Sequence, residues 1–427
     1  MELRNWLKQH GLSAEAYHAE ALLDQFLKEM QRGLDGKSSS LAMIPAYLGT
    51  NDSLPIDAPV AVIDAGGTNL RIGLVSFSKN GELQQHHFTK QSMPGREKIW
   101  TADQFYNLLA DALEPFIHQF SSIGFCFSYP AQILPNYDGK LIAWTKEIKI
   151  PELVGKNIGA GLIEKLTSRG FKDRNIVLLN DTVATLLAGL AQGRVFSASS
   201  YIGFILGTGT NIAYVEKNSK IGKLEKQTGE QIINVESGGF NALETTTFDQ
   251  QLDAQSEHSG RHIFEKLISG AYLGDLALLI AKALLPHSIF SASATTYIQN
   301  LSELSTIHIN HLLTGSGDTG VFEKDLFNAE DLSIFKTIFS HIIDRSALLT
   351  AVNLAAAIIK SEAGTDPQQP ICVNIDGSTY YKIHKMSEKA EQYLFSLLHP
   401  RGIHIRIIQE KDAPIVGAAI AALTTKT

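Results

Sequence analysis

Val60-Ala-Val-Ile-Asp64-Ala-Gly66-Gly67-Thr68-Asn69-Leu-Arg71-Ile-Gly-Leu-Val75 is the stretch that decides the fold. An apolar run rich in β-branched residues ends at Asp64. A glycine pair follows, and a second apolar run leaves it. That order predicts strand, tight turn, strand. The unit recurs further along the chain. Tyr201 to Leu206 is apolar, Gly207-Thr208-Gly209-Thr210-Asn211 supplies the turn, and Ile212 to Val215 returns. A third apolar run, Ile371 to Ile375, ends in Asp376-Gly377-Ser378. The repetition predicts two related halves that face each other.

Helical patterns fill the spaces between these strands. Val177-Leu-Leu179 leads through Asn180-Asp181-Thr182 into a helix whose Val183, Leu186, Leu187 and Leu190 form a buried face, with Gly193 placed to end it. Residues 13–32 read as an amphipathic helix with Leu22, Leu23, Phe26, Leu27 and Met30 on one stripe, Ser13 as its cap and Gly33 as its stop. Residues 263–285 and 335–360 read as long helices. Strands alternating with helices mean an α/β architecture. No low-complexity linker divides the chain, so two domains flanking a cleft fit better than separate beads.

Composition narrows the function. The chain has 427 residues, 44% hydrophobic and 19% charged, with a formal net charge of −7. An acidic balance argues against a protein that neutralises nucleic-acid phosphates, although a local pocket for one nucleotide stays open. The two cysteines, Cys126 and Cys372, lie in apolar runs and read as buried thiols rather than a disulfide framework. No CxxC pair or HExxH motif is present. His308 and His311 share a helical face and read as a packed or solvated pair. Charged residues near the N-terminus interrupt any signal-like core, and no run of ~18 apolar residues occurs. The expectation is a cytoplasmic protein that engages neither nucleic acid nor membrane.

The two glycine turns carry the chemistry. Glycine lets backbone N–H groups approach an anion with no Cβ in the way, and threonine hydroxyls add donors. Gly66-Gly67-Thr68-Asn69 and Gly207-Thr208-Gly209 both suit phosphate. Neither is a Walker A loop or a dinucleotide-binding fingerprint. One such turn alone reads as an ordinary hairpin; two of matching chemistry, each after an apolar strand, point to phosphate. Asp64, where strand meets turn, is placed to hold Mg²⁺, directly or through water, and otherwise serves as a turn former.

At this point the residues resemble a known family. Asp64-Ala-Gly-Gly-Thr-Asn-Leu-Arg71 is similar to the first phosphate motif of hexokinases of the eukaryotic hexokinase/glucokinase type. Phe127-Ser128-Tyr129-Pro130 with Trp144-Thr145-Lys146 resembles the family's sugar signature, and Leu179-Asn180-Asp181-Thr182 its catalytic-aspartate segment. Gly207-Thr208-Gly209-Thr210-Asn211 resembles the second phosphate motif. Ile233-Asn234-Val-Glu236-Ser-Gly238 and Phe264-Glu265-Lys266-Leu267 resemble the segments that bring two sugar-binding glutamates. The resemblance runs from about residue 20 to 425, with six motifs in family order.

The resemblance implies a two-domain actin-like ATPase (ribonuclease H-like) fold with an inter-domain cleft. It divides the chain into an N-terminal helical segment 1–50 packed on the large domain, a small domain 51–181 completed by the C-terminal helix 414–427, and a large domain 182–413. It implies transfer of the γ-phosphoryl group of ATP, with Mg²⁺, to the 6-hydroxyl of glucose or a related hexose, by a monomer or homodimer. Asp181 would be the general base, aided by Lys146. Ser128, Pro130, Thr145, Lys146, Asn180, Asp181, Asn211, Glu236 and Glu265 would form the sugar shell. Asp64, Gly66, Gly67, Thr68, Asn69, Arg71, Gly207, Thr208, Gly209, Gly377 and Ser378 would serve the nucleotide, Asp64 holding Mg²⁺ through water. Hinges are expected near 181–188 and 411–416. A sugar-sensing regulator without turnover is the alternative; such a protein would be expected to lose Asp181, Lys146 or a phosphate turn.

Four features depart from the family pattern, one of them the single extra residue of Gly377-Ser378-Thr379-Tyr380-Tyr381 before Lys382. Lys411-Asp412-Ala413-Pro414-Ile-Val-Gly417 stands where the family has an Asp-Gly-Ser-Gly-x-Gly segment. His262 stands where glutamine is frequent, and Ser237 where an aromatic is common.

Overall fold

The computed structural model describes residues 2–50, 55–79, 82–145, 147–225, 228–323 and 325–425. Two mixed sheets form its frame. The first has spatial order Leu83–Ser92, Asn69–Phe77, Val60–Ala65, Ser122–Phe127, Asn175–Leu179. Its first three strands are antiparallel, and the last two run parallel to Val60–Ala65. The second has order Glu230–Asn234, Thr210–Lys217, Ser200–Leu206, Ile371–Asp376, Ile405–Ile408, with the two-residue strand Ile44–Pro45 added at its edge. Again three strands are antiparallel and two parallel. The sheets therefore share one topology, third-second-first-fourth-fifth in chain order, which is the internal duplication that the recurring glycine turns imply.

Each half ends in a helix that crosses to the other. Asp181–Val195 follows the last strand of the first sheet yet packs on Ser200–Leu206 and Ile371–Asp376 of the second. Ala413–Thr424 follows the last strand of the second sheet yet packs on Val60–Ala65, Ser122–Phe127 and Asn175–Leu179 of the first. The two helices lie against each other between the sheets. Glycines make this possible. A Cβ on Gly124 would fall 2.0 Å from the Ala418 carbonyl oxygen, and one on Gly203 would fall 2.5 Å from that of Thr182. At both places helix backbone rests directly on sheet backbone.

The N-terminal stripe behaves as its spacing predicts. Leu23, Phe26 and Met30 are fully buried in the core that also holds the Ala329–Lys360 helix, and Phe26 stacks on Phe240 at 4.3 Å. Truncating such a ring costs about 3–5 kcal/mol. The helix itself spans Ala19–Leu34, later than expected. Ser13 precedes only the short turn Ala14–Ala16 and makes no side-chain cap bond, and Gly33 stays within the helix. Gly193 likewise does not stop its helix, which runs to Val195; the glycine is needed where Tyr201 and Cys372 press against it. The expected helix over 263–285 is broken into Ile263–Ile268 and Leu273–Leu284. His308 and His311 cover the glycine turns at Gly320 and Gly317, as a packed pair. Ala329–Lys360 is long and apolar enough to cross a membrane by length and composition, but 89% of its most apolar window is buried inside the protein.

Candidate active site

The carboxyl ends of parallel strands gather the polar residues of each half, as open α/β sheets require. In the first sheet Val60–Ala65 delivers Asp64 and the Gly66-Gly67 turn, Ser122–Phe127 delivers Ser128, and Asn175–Leu179 delivers Asn180 and Asp181. In the second, Ser200–Leu206 delivers Gly207 to Gly209 and Ile371–Asp376 delivers Gly377 and Ser378.

The first turn is closed by the Gly66 amide donating to the Asn69 carbonyl at 3.0 Å. Its underside is held by Tyr129, whose hydroxyl donates to the Gly66 carbonyl at 2.7 Å. Tyr129 is packed edge-on against Trp144 at 4.8 Å, and the indole N–H donates to the Ile150 carbonyl at 2.7 Å. The loop bearing Ser128 and Pro130 and the segment bearing Thr145 are thus braced against the first turn; the Pro130 carbonyl accepts from the Ile142 amide. Lys146 lies outside the described residues.

The second turn is built on contact with its neighbours. A Cβ on Gly209 would fall 2.5 Å from Glu265 Oε2, and that oxygen accepts from the Thr210 amide at 3.0 Å. The Gly207 carbonyl accepts from the Gly270 amide and from the Thr379 hydroxyl. Gly377, with φ +119°, approaches so closely that a Cβ there would lie 2.2 Å from the Leu206 carbonyl. Gly377, Ser378 and the second turn therefore form one surface. Thr68, Thr208 and Ser378 are all exposed at their turn tips. Bare backbone amides with three free-standing hydroxyls suit a polyphosphate.

Asp64 is buried where its strand enters the first turn. Arg71 Nε donates to its Oδ2 at 2.8 Å, and Arg71 Nη1 reaches Asp412 Oδ1 at 2.7 Å. Burial pushes the Asp64 carboxyl above its ordinary range; Arg71 opposes the shift, and the charge of Asp181 adds to it. A cation at this carboxylate would relieve the same strain, so the residues fit Mg²⁺ shared with phosphates, the usual mode for this ion. Among the described residues no cluster of three or more His, Cys, Asp or Glu forms a metal cage of its own.

Asp181 opens its helix, with Asn180 as the cap accepting from the Thr182 amide at 2.8 Å. Facing it across the cleft is a polar set. Asn211 and Asn234 both donate to Glu236 Oε1, at 3.2 and 2.7 Å, and Asn211 Nδ2 also donates to Asn234 Oδ1. Glu236 itself adopts a left-handed backbone, φ +59°. Burial raises its carboxyl, and the negative charges of Asp181 and Glu265 raise it further. The structure therefore brings Asp181, Asn211, Glu236 and Glu265 into one electrostatic neighbourhood, with Asp64 joined to it through Asp181. Phe127, Tyr129, Leu178 and Asn180 meet Ile44, Asn234 and Glu236 along a seam between the lobes. With about 10 Å³ of free volume this seam is far too small to be a sugar pocket itself.

Three residues of the site were not singled out from sequence. Asn234 and Tyr129 stand inside quoted motifs but act through hydrogen bonds that spacing does not reveal. Asp412 lies in the departing segment. Of the other departures, Ser237 is buried and accepts from Asn353 at 3.0 Å, and His262 is exposed with φ +53° just before the Glu265 helix.

Comparison with known proteins bears on the family and the fold. Two family models, each described as hexokinase, match residues 2–191 and 201–424. The chain is 30% identical over 438 residues to Hexokinase-1 of Spinacia oleracea, spanning 93% of this chain and 86% of that one. It is 30% identical over 436 residues to Hexokinase-2 of Schizosaccharomyces pombe, spanning 95% and 94%. In fold it is similar to a hexokinase from Schistosoma mansoni complexed with glucose, with TM-score 0.78, 24% identity and full coverage of both chains.

Proposed function

The chain belongs to the hexokinase family, and from that premise we propose that its cleft transfers the γ-phosphoryl group of ATP to the 6-hydroxyl of a hexose, with Asp181 as general base. What supports the reading most is that Asp181 is close enough for its charge to raise the carboxyls of both the buried Asp64 of the phosphate turn and Glu236 of the polar set opposite.

The roles follow from the donors and acceptors. Glu236 Oε1 is already engaged by two amides, which leaves Oε2 to accept from sugar hydroxyls. Asn180, Asn211, Glu265, Ser128 and Thr145 supply further donors and acceptors around the ring. An Asp181 carboxylate oxygen takes the proton of the 6-hydroxyl. Proton removal comes late in a loose phosphoryl-transfer transition state, so position matters more than basicity. Thr68 and Thr208 hydroxyls and the backbone amides of both turns meet the phosphates, and Ser378 lies on the nucleoside side. Mg²⁺, when bound with the triphosphate near Asp64, would supply charge neutralisation. Approach of the two lobes would remove water, the competing acceptor.

A hexose sensor without turnover is disfavoured, since the chain keeps Asp181, Lys146 and both phosphate turns. The test is a coupled assay of ADP release with glucose, mannose, fructose, glucosamine and N-acetylglucosamine. Hexose-dependent turnover is expected for at least one. Hexose binding by calorimetry without turnover on any of them would favour the sensor.

A further inference from the structure

The departing segment at 411–417 removes the family's glycine-serine turn, yet it keeps one carboxylate in a specific place. Asp412 sits at the N-cap of Ala413–Thr424 with φ +51° and makes no side-chain cap bond to its own helix. Its carboxylate is given instead to Arg71 Nη1, at 2.7 Å. The same guanidinium gives Nε to Asp64 at 2.8 Å. Arg71 is four-fifths buried, Asp64 is nearly wholly so, and Asp412 is half exposed. Asp64 and Arg71 belong to the first sheet. Asp412 follows Ile405–Ile408 of the second, where the chain crosses between lobes. It lines a 750 Å³ cleft whose walls are Phe77 and Leu83 of one lobe and Ala191 and Val195 of the crossing helix.

We propose that Asp412 is a positioning residue for the nucleotide: by fixing Arg71 it sets the orientation of Asp64, and so ties the crossing point of the lobes to the phosphate turn. The duplication gives the idea its geometry. Asp181 and Asp412 both stand at the start of the crossing helix that follows the last strand of their half, Asp181 as its first residue and Asp412 as its cap. One faces the sugar set; the other faces the cation that steers Asp64. Two nitrogens of one planar guanidinium, held by two carboxylates, allow a single orientation. With Asp412 uncharged, Arg71 is free to turn about its bond to Asp64, and Asp64 loses its fixed aim. An aspartate with positive φ is tolerated there because its short side chain suits the left-handed region, and asparagine suits it equally.

The inference rests on the proposed kinase reading, and its test separates the two. Asp412→Asn keeps shape and backbone preference and removes the charge. It is expected to raise KM for MgATP roughly tenfold or more, with KM for hexose within about twofold. Calorimetry with Mg²⁺ and a non-hydrolysable ATP analogue should show the same loss without turnover. Asp412→Glu should recover part of the affinity. Arg71→Lys, a point charge that cannot hold both carboxylates, should repeat the Asp412→Asn signature. Unchanged analogue affinity in Asp412→Asn and Arg71→Lys overturns the proposal. So does an Asp412→Glu variant no better than Asp412→Asn. Absence of hexose-dependent turnover in the unmodified protein would instead strike the kinase reading, while analogue binding would still judge Asp412.

Discussion

Gly417 lies against Ala184 where the two crossing helices meet: a Cβ on the glycine would stand 2.0 Å from the Ala184 carbonyl oxygen. The obstruction is backbone, so no side chain can swing aside. Elsewhere in a helix, glycine to alanine is favourable by about 1 kcal/mol. Here the sign should reverse. Gly417→Ala must push the helices apart, and through Gly124 and Gly203 that strain reaches both sheets. A destabilisation of about 1–3 kcal/mol is expected, read by thermal or denaturant unfolding. A variant more stable than the parent would show that the contact has slack.

Asp181→Asn isolates the proposed base. Asparagine keeps the first helical position and much of the hydrogen bonding, but it cannot take a proton. General-base loss typically costs about 10²–10⁴-fold in rate. The expectation is a fall of that size in kcat, with hexose affinity by calorimetry changed only severalfold. A kcat near that of the parent would remove Asp181 from the chemistry.

Glu236 predicts a pH dependence of sugar binding. Its carboxyl is raised by burial and then by the charges of Asp181 and Glu265, so it stays protonated to higher pH than an ordinary glutamate. Hexose hydroxyls donate to the ionised form and should bind it better. Affinity should therefore fall as pH drops through the raised value, and binding in that window should release a proton. Calorimetry between about pH 5 and 8 in buffers of different ionisation enthalpy measures both. Glu236→Gln should bind weakly and lose the dependence. A flat profile in the parent protein would contradict the assignment.

Much of this was legible in the sequence because it is local. The two hairpins announce themselves through β-branched runs meeting glycine turns, and Asn180-Asp181-Thr182 reads as a helix start from its capping chemistry. What sequence did not reveal is tertiary. Leu267, Ile268, Leu273 and Leu276 continue one apolar pattern, yet the helix breaks between them. There the Gly270 amide is taken by the Gly207 carbonyl, and Gly274 packs against the Leu304 carbonyl. Arg71 and Asp412 are 341 positions apart, and no spacing rule connects them. Gly193 reads as a stop until Tyr201 is seen pressed against it.

Gly377 tests whether the nucleotide side can be disturbed without the sugar side. Its φ of +119° is open to glycine and strained for any other residue, and an added Cβ would fall 2.2 Å from the Leu206 carbonyl. Both effects act on the surface made by Ser378 and the Gly207-Thr208-Gly209 turn. The proposed hexose groups Asn211 and Asn234 lie on neighbouring strands, and with Glu236 just beyond them they are held by their own hydrogen bonds. Gly377→Ala should therefore raise KM for MgATP by roughly tenfold or more, while hexose binding measured without nucleotide stays within about twofold. Ser378→Ala, which removes a hydroxyl without moving the backbone, should give a smaller loss of the same kind. If Gly377→Ala weakened hexose and nucleotide equally, the turn would be a support for the whole cleft and its assignment to the nucleotide would fall.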